Sequence, residues 1–190
     1  MNAAVSQMVL MFGLMQVSKR IPFDDPKVVN YARLAYLASN IFIFALYVVC
    51  LLKIKRKNDL TMLKYVEPAS PLAGSNAEKK FVTTTVKEYD QQQVVSAMRS
   101  SLFGIAILLF MHLRLGYTNP LVMQTVMPLK SIFEQKIIQI HVLGKAPVDD
   151  LKRPFKAAAG LFGMGAPAVE TDKKTIAQAE TSGRGGAKEE

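Results

Sequence analysis

The chain has 190 residues, 50% of them hydrophobic, and its 24 Lys and Arg outnumber 15 Asp and Glu for a formal charge of +9. The single cysteine, Cys50, excludes an internal disulfide framework and a cysteine-built zinc site. The apolar residues are gathered into stretches, enough for three or four helices but not for a large soluble core, and the basic excess favours an anionic neighbour such as lipid headgroups or RNA.

Asn2–Ser18 is uncharged and apolar from its start, with Lys19 and Arg20 following it. A signal peptide would carry its basic residues first and end at a small-residue cleavage site, so this stretch reads as a retained helix. Met8, Met11 and Met15 recur along it at helical spacing, a packed or lipid-facing stripe or else an adaptable apolar surface. In KRIPFDDPKVVN (19–30) two prolines and the Asp24–Asp25 pair stop one helix and can cap the next.

Leu34–Leu52 carries no charge, and as a helix it would extend about 28 Å, the thickness of a bilayer's hydrocarbon core. Lys53, Lys55, Arg56 and Lys57 follow at once, where the chain would leave the lipid. Lys53–Glu67 holds five bases and two acids against three and two in residues 19–30, which assigns the KIKRK side to the cytosol. This cluster reads as a topology signal and headgroup anchor, or as a dock for an RNA backbone or an acidic factor.

Residues 58–80 read as linker, with Pro68, Pro71 and Gly74, and FVTTTVKEYD (81–90) as one short strand or hairpin arm at best. Asp90, with Gln93 three residues on, has the pattern of a capping box opening a third hydrophobic helix. Its uncharged part, Ser100–Leu113, would measure only about 21 Å, between Arg99 and Arg114, so these side chains must snorkel or the bilayer must thin. Leu115–Leu129 is interrupted by Pro120 and Pro128 and carries Gln124 and Thr125, which suits a broken or re-entrant segment buried against other helices. From Gly144 onward the residues read as a basic, weakly structured tail with one possible short helix from Lys173 to Thr181.

The expected fold is therefore an all-α membrane protein. Residues 1–143 form a helical membrane domain with spans near 2–18, 32–52 and 98–117, a broken segment at 119–138 and a polar cytosolic loop at 53–97. Residues 144–190 form the tail. Its two histidines, His112 and His141, belong to no metal-binding pattern, and GLFGMG (160–165) lacks the lysine and spacing of a phosphate loop, so no enzyme, cofactor or metal site is expected. The candidate site is instead a polar set within the apolar helices: Asn40, Arg99, His112, Arg114 and Gln124. Polar groups in lipid are costly unless they face one another, water or protein, so they are either helix–helix glue or the lining of a wet groove.

Taken together, KNDLTMLKYVEP (57–68), MHLRLGYTNPLVMQ (111–124), KIIQIHVLGK (136–145), DLKRPFKA (150–157) and TDKK (171–174) resemble the fungal family first named as inorganic phosphate transport proteins. That family is also known as the membrane component of an SRP-independent route to the endoplasmic reticulum. The resemblance implies an endoplasmic reticulum membrane protein that supports delivery or insertion of membrane proteins. It also implies partners: the Sec translocon, translating ribosomes, client transmembrane segments and anionic lipids. No catalytic residue comes with it. The expected function is a non-enzymatic targeting or insertion factor, with phosphate transport (or help in maturing a transporter) and a structural adaptor of a translocon as the alternatives.

Overall fold

The computed structural model describes residues 3–67 and 80–155, and it is mostly helical. The element order is α1 (Ala3–Arg20), α2 (Pro26–Lys57), β1 (Met62–Glu67), β2 (Lys80–Thr85), α3 (Val86–Leu115), α4 (Asn119–Glu134) and α5 (Lys136–His141), followed by a 3₁₀ turn at Asp149–Leu151. The described residues divide into two compact units, one within residues 3–56 and 91–145, the other within residues 57–67, 80–90 and 146–155.

In the helical unit, α2 starts as the loop chemistry predicts. The Asp25 carboxylate accepts a hydrogen bond from the Lys27 amide at 2.8 Å, and Pro26 takes the first helical position, where its missing N–H costs nothing. Asn58, at a φ of 46°, follows the last residue of α2 in the left-handed conformation that commonly ends a helix. Only Ser39, Ile43, Tyr47, Cys50 and Ile54 of α2 are buried, a narrow stripe at helical spacing. Leu34, Leu37, Ile41, Phe42, Val48, Val49 and Leu52 point outward, as do Leu102, Phe103, Ile107, Leu109, Phe110 and Leu113 of α3. Both helices are long and apolar enough to cross a membrane, and only 11% of the apolar window of α3 is buried. A helix from a soluble core would be mostly buried, so these surfaces suit lipid.

Contacts along α2 rise in step with those along α4. Ser39 Oγ donates to the Thr125 carbonyl at 2.9 Å, Gln135 Nε2 donates to Tyr47 Oη at 2.9 Å, and Cys50 Sγ lies 3.9 Å from the Ile137 carbonyl. α4 therefore runs beside α2 in the same direction, while α1 packs against α4. The segment from Asn119 is not broken at its prolines as the sequence suggests. Pro120 sits in the first turn, Pro128 is carried inside a continuous helix, and the break falls at Gln135, which is extended at φ −64° and ψ 125°.

The second unit corrects the sequence reading in three places. First, the fold is not all-α. β1, read as linker, pairs antiparallel with β2 from Met62↔Thr85 to Glu67↔Lys80. Second, α3 starts earlier, through a box made by Thr85 and Glu88: the Glu88 amide donates to Thr85 Oγ1 at 3.2 Å and the Thr85 amide to Glu88 Oε2 at 3.4 Å. Two more amides of that first turn, Val86 and Lys87, donate to the carbonyls of Thr61 and Asp59, each at 2.9 Å. Asp90 is no cap. It is 1% exposed and holds Arg153 in a two-point ion pair, Nε to Oδ1 at 2.6 Å and Nη2 to Oδ2 at 2.7 Å.

Third, the start of the tail is built into this unit. Tyr89 stacks edge-on to both Tyr65 and Phe155, with ring centroids 5.7 and 5.6 Å away, and its hydroxyl accepts the Phe155 amide at 2.7 Å. The linker prolines 68 and 71, and the expected helix from Lys173 to Thr181, lie outside the described residues.

Candidate functional site

A cavity of about 480 Å³ lies within the helical unit. Its walls follow from spacing. Tyr36, Asn40, Ile43 and Tyr47 share one face of α2, and Gln124, Met127, Pro128 and Ser131 share one face of α4, with Gln135 at the α4–α5 break and Gln7 contributed by α1. The α3 wall is Ala97, Ser100, Ser101, Gly104 and Ile105. Four of those five residues are small, so α3 cannot fill the space that α2 and α4 leave. A Cβ built on Gly104 would meet nothing within 4 Å.

The cavity is partly polar without being charged, since amides and hydroxyls share its lining about equally with apolar groups and no Asp, Glu, Lys, Arg or His lines it. It also carries spare acceptors. Gln135 Oε1 is buried with no hydrogen-bond partner, although its Nε2 is bound to Tyr47. Pro128 has no N–H for the Gln124 carbonyl one turn earlier in α4, so that carbonyl lacks its helical donor. A buried amide oxygen left without a donor costs free energy, roughly 1–3 kcal/mol, and such a group invites water or a donor from elsewhere.

Of the polar set expected from the sequence, Asn40 and Gln124 meet in this cavity and the other three do not. Asn40 is not interhelical glue, because its Nδ2 donates to the Tyr36 carbonyl of its own helix at 2.8 Å. Ser39 makes the helix-to-helix bond instead. Arg99 and Arg114 are exposed. His112 is 8% exposed, and its Nε2 accepts from Arg33 Nε at 3.0 Å, which leaves Nδ1 to donate to the Tyr117 carbonyl at 3.1 Å. That contact ties the start of α2 to the end of α3. Lys53, Lys55, Arg56 and Lys57 are all exposed on the last turns of α2.

Sequence reasoning missed Tyr47, Ser131 and Gln135 and the small wall of α3. Polar or small residues recurring at i, i+4 and i+7 from Gln124 and from Ala97 were the available signal, but proline read as a helix breaker concealed it.

Two bilayer-length helices with lipid-suited surfaces and a neutral polar cavity in the helical unit define a small helical membrane protein. The chain belongs to the family described as phosphate transport (Pho88), which matches residues 1–187. It is 43% identical over 190 residues, 100% of both chains, to SRP-independent targeting protein 3 of Saccharomyces cerevisiae. An SRP-independent targeting protein 3 homolog of Schizosaccharomyces pombe is 41% identical over 167 residues, 88% of this chain and 85% of the relative. An uncharacterized protein of the same organism is 48% identical over 165 residues, 87% of this chain and 81% of the relative. No solved structure matches the chain.

Proposed function

We propose that this protein is a non-enzymatic targeting and insertion factor for membrane proteins of the endoplasmic reticulum, acting on an SRP-independent route beside the Sec translocon. The observation that carries the reading is the neutral polar cavity among helices whose outer faces suit lipid. A polar stretch of a client segment crosses hydrocarbon at lower cost where hydrogen-bonding groups replace water. The relatives' printed names support targeting. The exposed Lys53–Lys57 cluster supplies a surface for anionic headgroups or for the RNA of a translating ribosome.

The phosphate label fits better as an indirect effect through maturation of a transporter. A phosphate ion entering this cavity would find no cation among its lining residues to offset desolvation.

In this reading α1 to α4 each cross the membrane and the segment 119–138 makes the return. α4 runs parallel to α2, and its 16 residues extend about 24 Å. The Arg153–Asp90 pair holds residues 146–155 on the same aqueous side as residues 57–90, the cytosol by the positive-inside rule.

The decisive experiment places a photoreactive residue at Gln124 in native membranes during synthesis of a client with an internal anchor. Crosslinks to the anchor that appear only at particular chain lengths are expected; crosslinks to lipid and constant neighbours alone, with normal client insertion, would remove the cavity from the insertion path. For topology, Asn58→Cys, Val148→Cys and Tyr117→Cys are made in a Cys50→Ala background. Cytosolic labelling of the first two and protection of the third are expected, and lumenal labelling of Val148→Cys would refute the four-crossing arrangement.

A further inference from the structure

We infer that the cavity selects client segments by the kind of polar residue they carry: it receives a short segment presenting uncharged hydrogen-bond donors (Ser, Thr, Asn or Gln) and rejects ionised side chains. The inference rests on the insertion reading above and specifies its substrate class.

The lining sets the reach of the guest. It runs from Tyr36 to Tyr47 along α2 and from Gln124 to Gln135 along α4 and its C-terminal cap, about 17 Å or three helical turns each. The guest is then a segment whose polar stretch lies along these faces while the remainder stays against lipid.

Charge and hydrogen bonding set its chemistry. An ionised side chain in this space would be desolvated beside amides and hydroxyls with no counter-charge from any lining residue. An uncharged donor meets the unpartnered Gln135 Oε1 and the Gln124 carbonyl that Pro128 cannot serve. The gain comes from satisfying the buried Gln135 Oε1 and a carbonyl that lacks its helical donor, so it is specific to donors and absent for a leucine of similar size. Ser131, Ser100 and Ser101 add hydroxyls that can turn either way and so accommodate more than one side chain.

The test uses membranes containing the full chain, membranes depleted of it, and one client with an internal anchor whose central residue is Leu, Asn, Ser, Asp or Lys. Insertion is read by glycosylation of a lumenal reporter, and contact by crosslinking from Gln124. Depletion should lower insertion of the Asn and Ser clients about two- to tenfold more than that of the Leu client, the worth of one buried hydrogen bond. Asp and Lys clients should show no such added dependence and no Gln124 crosslink. Gln135→Leu should bring the dependence of the Asn client down to that of the Leu client, and Gly104→Leu, which fills open space, should abolish the Gln124 crosslink for every client.

Equal dependence of Leu and Asn clients, both crosslinking, would overturn the selection rule and leave the insertion reading standing. A stronger dependence for charged clients would overturn it likewise. If no client depends on the protein and Gln124 crosslinks only to lipid, both readings fall.

Discussion

The two units solve opposite problems with similar residues. In the second unit Asp90 pairs with Arg153, and Tyr89 with the Phe155 amide, beside three aromatic rings. In the helical unit polar side chains surround an open space, and the two buried side-chain atoms without a partner, among the described residues, are Ser18 Oγ and Gln135 Oε1, both in that unit. A closed polar network specifies one arrangement of the chain; an incomplete one leaves capacity for a guest. On the proposed function, the hairpin unit keeps its shape and the helices receive the client.

The largest way to break it is at the ion pair. Asp90→Ala leaves the Arg153 guanidinium, 7% exposed, without its carboxylate, and should destabilise the second unit by about 3–5 kcal/mol. Limited proteolysis near residues 146–155 should then rise steeply, and the double variant Asp90→Leu with Arg153→Met should recover part of the loss. Tyr89→Phe removes only the hydroxyl that accepts the Phe155 amide; a loss of about 1 kcal/mol is expected, seen as faster hydrogen exchange at that amide. Thr85→Ala should cost a similar amount, about 1 kcal/mol, by opening the box that starts α3. Gly104→Leu should leave thermal unfolding in detergent nearly unchanged while client crosslinking is lost, because the new side chain enters empty space.

The smallest effect is a dependence on pH at Asp59. The Thr61 hydroxyl donates to its Oδ1 at 2.6 Å and the Thr61 amide does so at 3.2 Å, and these bonds hold the carboxyl below the ordinary aspartate value. A depressed folded-state pKa gives stability that is present above the unfolded value and is lost as pH falls through the folded one. Protection of the Thr61 amide should therefore hold from pH 7 down to the ordinary aspartate range and drop below it. Asp59→Asn should flatten that profile.

Much of this was legible in the letters. An uncharged run followed by KIKRK dictated α2 and its exit, and Asp25-Pro26 marked its start. The family was readable because several long matches fell in order along the chain. Other features were illegible for definite reasons. β1 contains MLKYVE, which lacks strict alternation, and it acquires its strand character from pairing with β2. Asp90 with Gln93 imitates a cap, but the partner that claims Asp90 is Arg153, separated from it by 63 positions. Pro128 signalled a break that the helix absorbed.

By itself the sequence determined what depends on near neighbours and on solvent transfer: which stretches are apolar enough for lipid, where charge stops them, and which family they belong to. The tertiary structure alone decided which polar residues meet. Asn40 and Gln124 share a cavity while Arg99, His112 and Arg114 stay outside it, because membership depends on which helix faces converge and on the small side chains of α3 that keep them from filling the gap. Convergence of that kind is set by packing over long sequence separations, which a one-dimensional pattern does not encode.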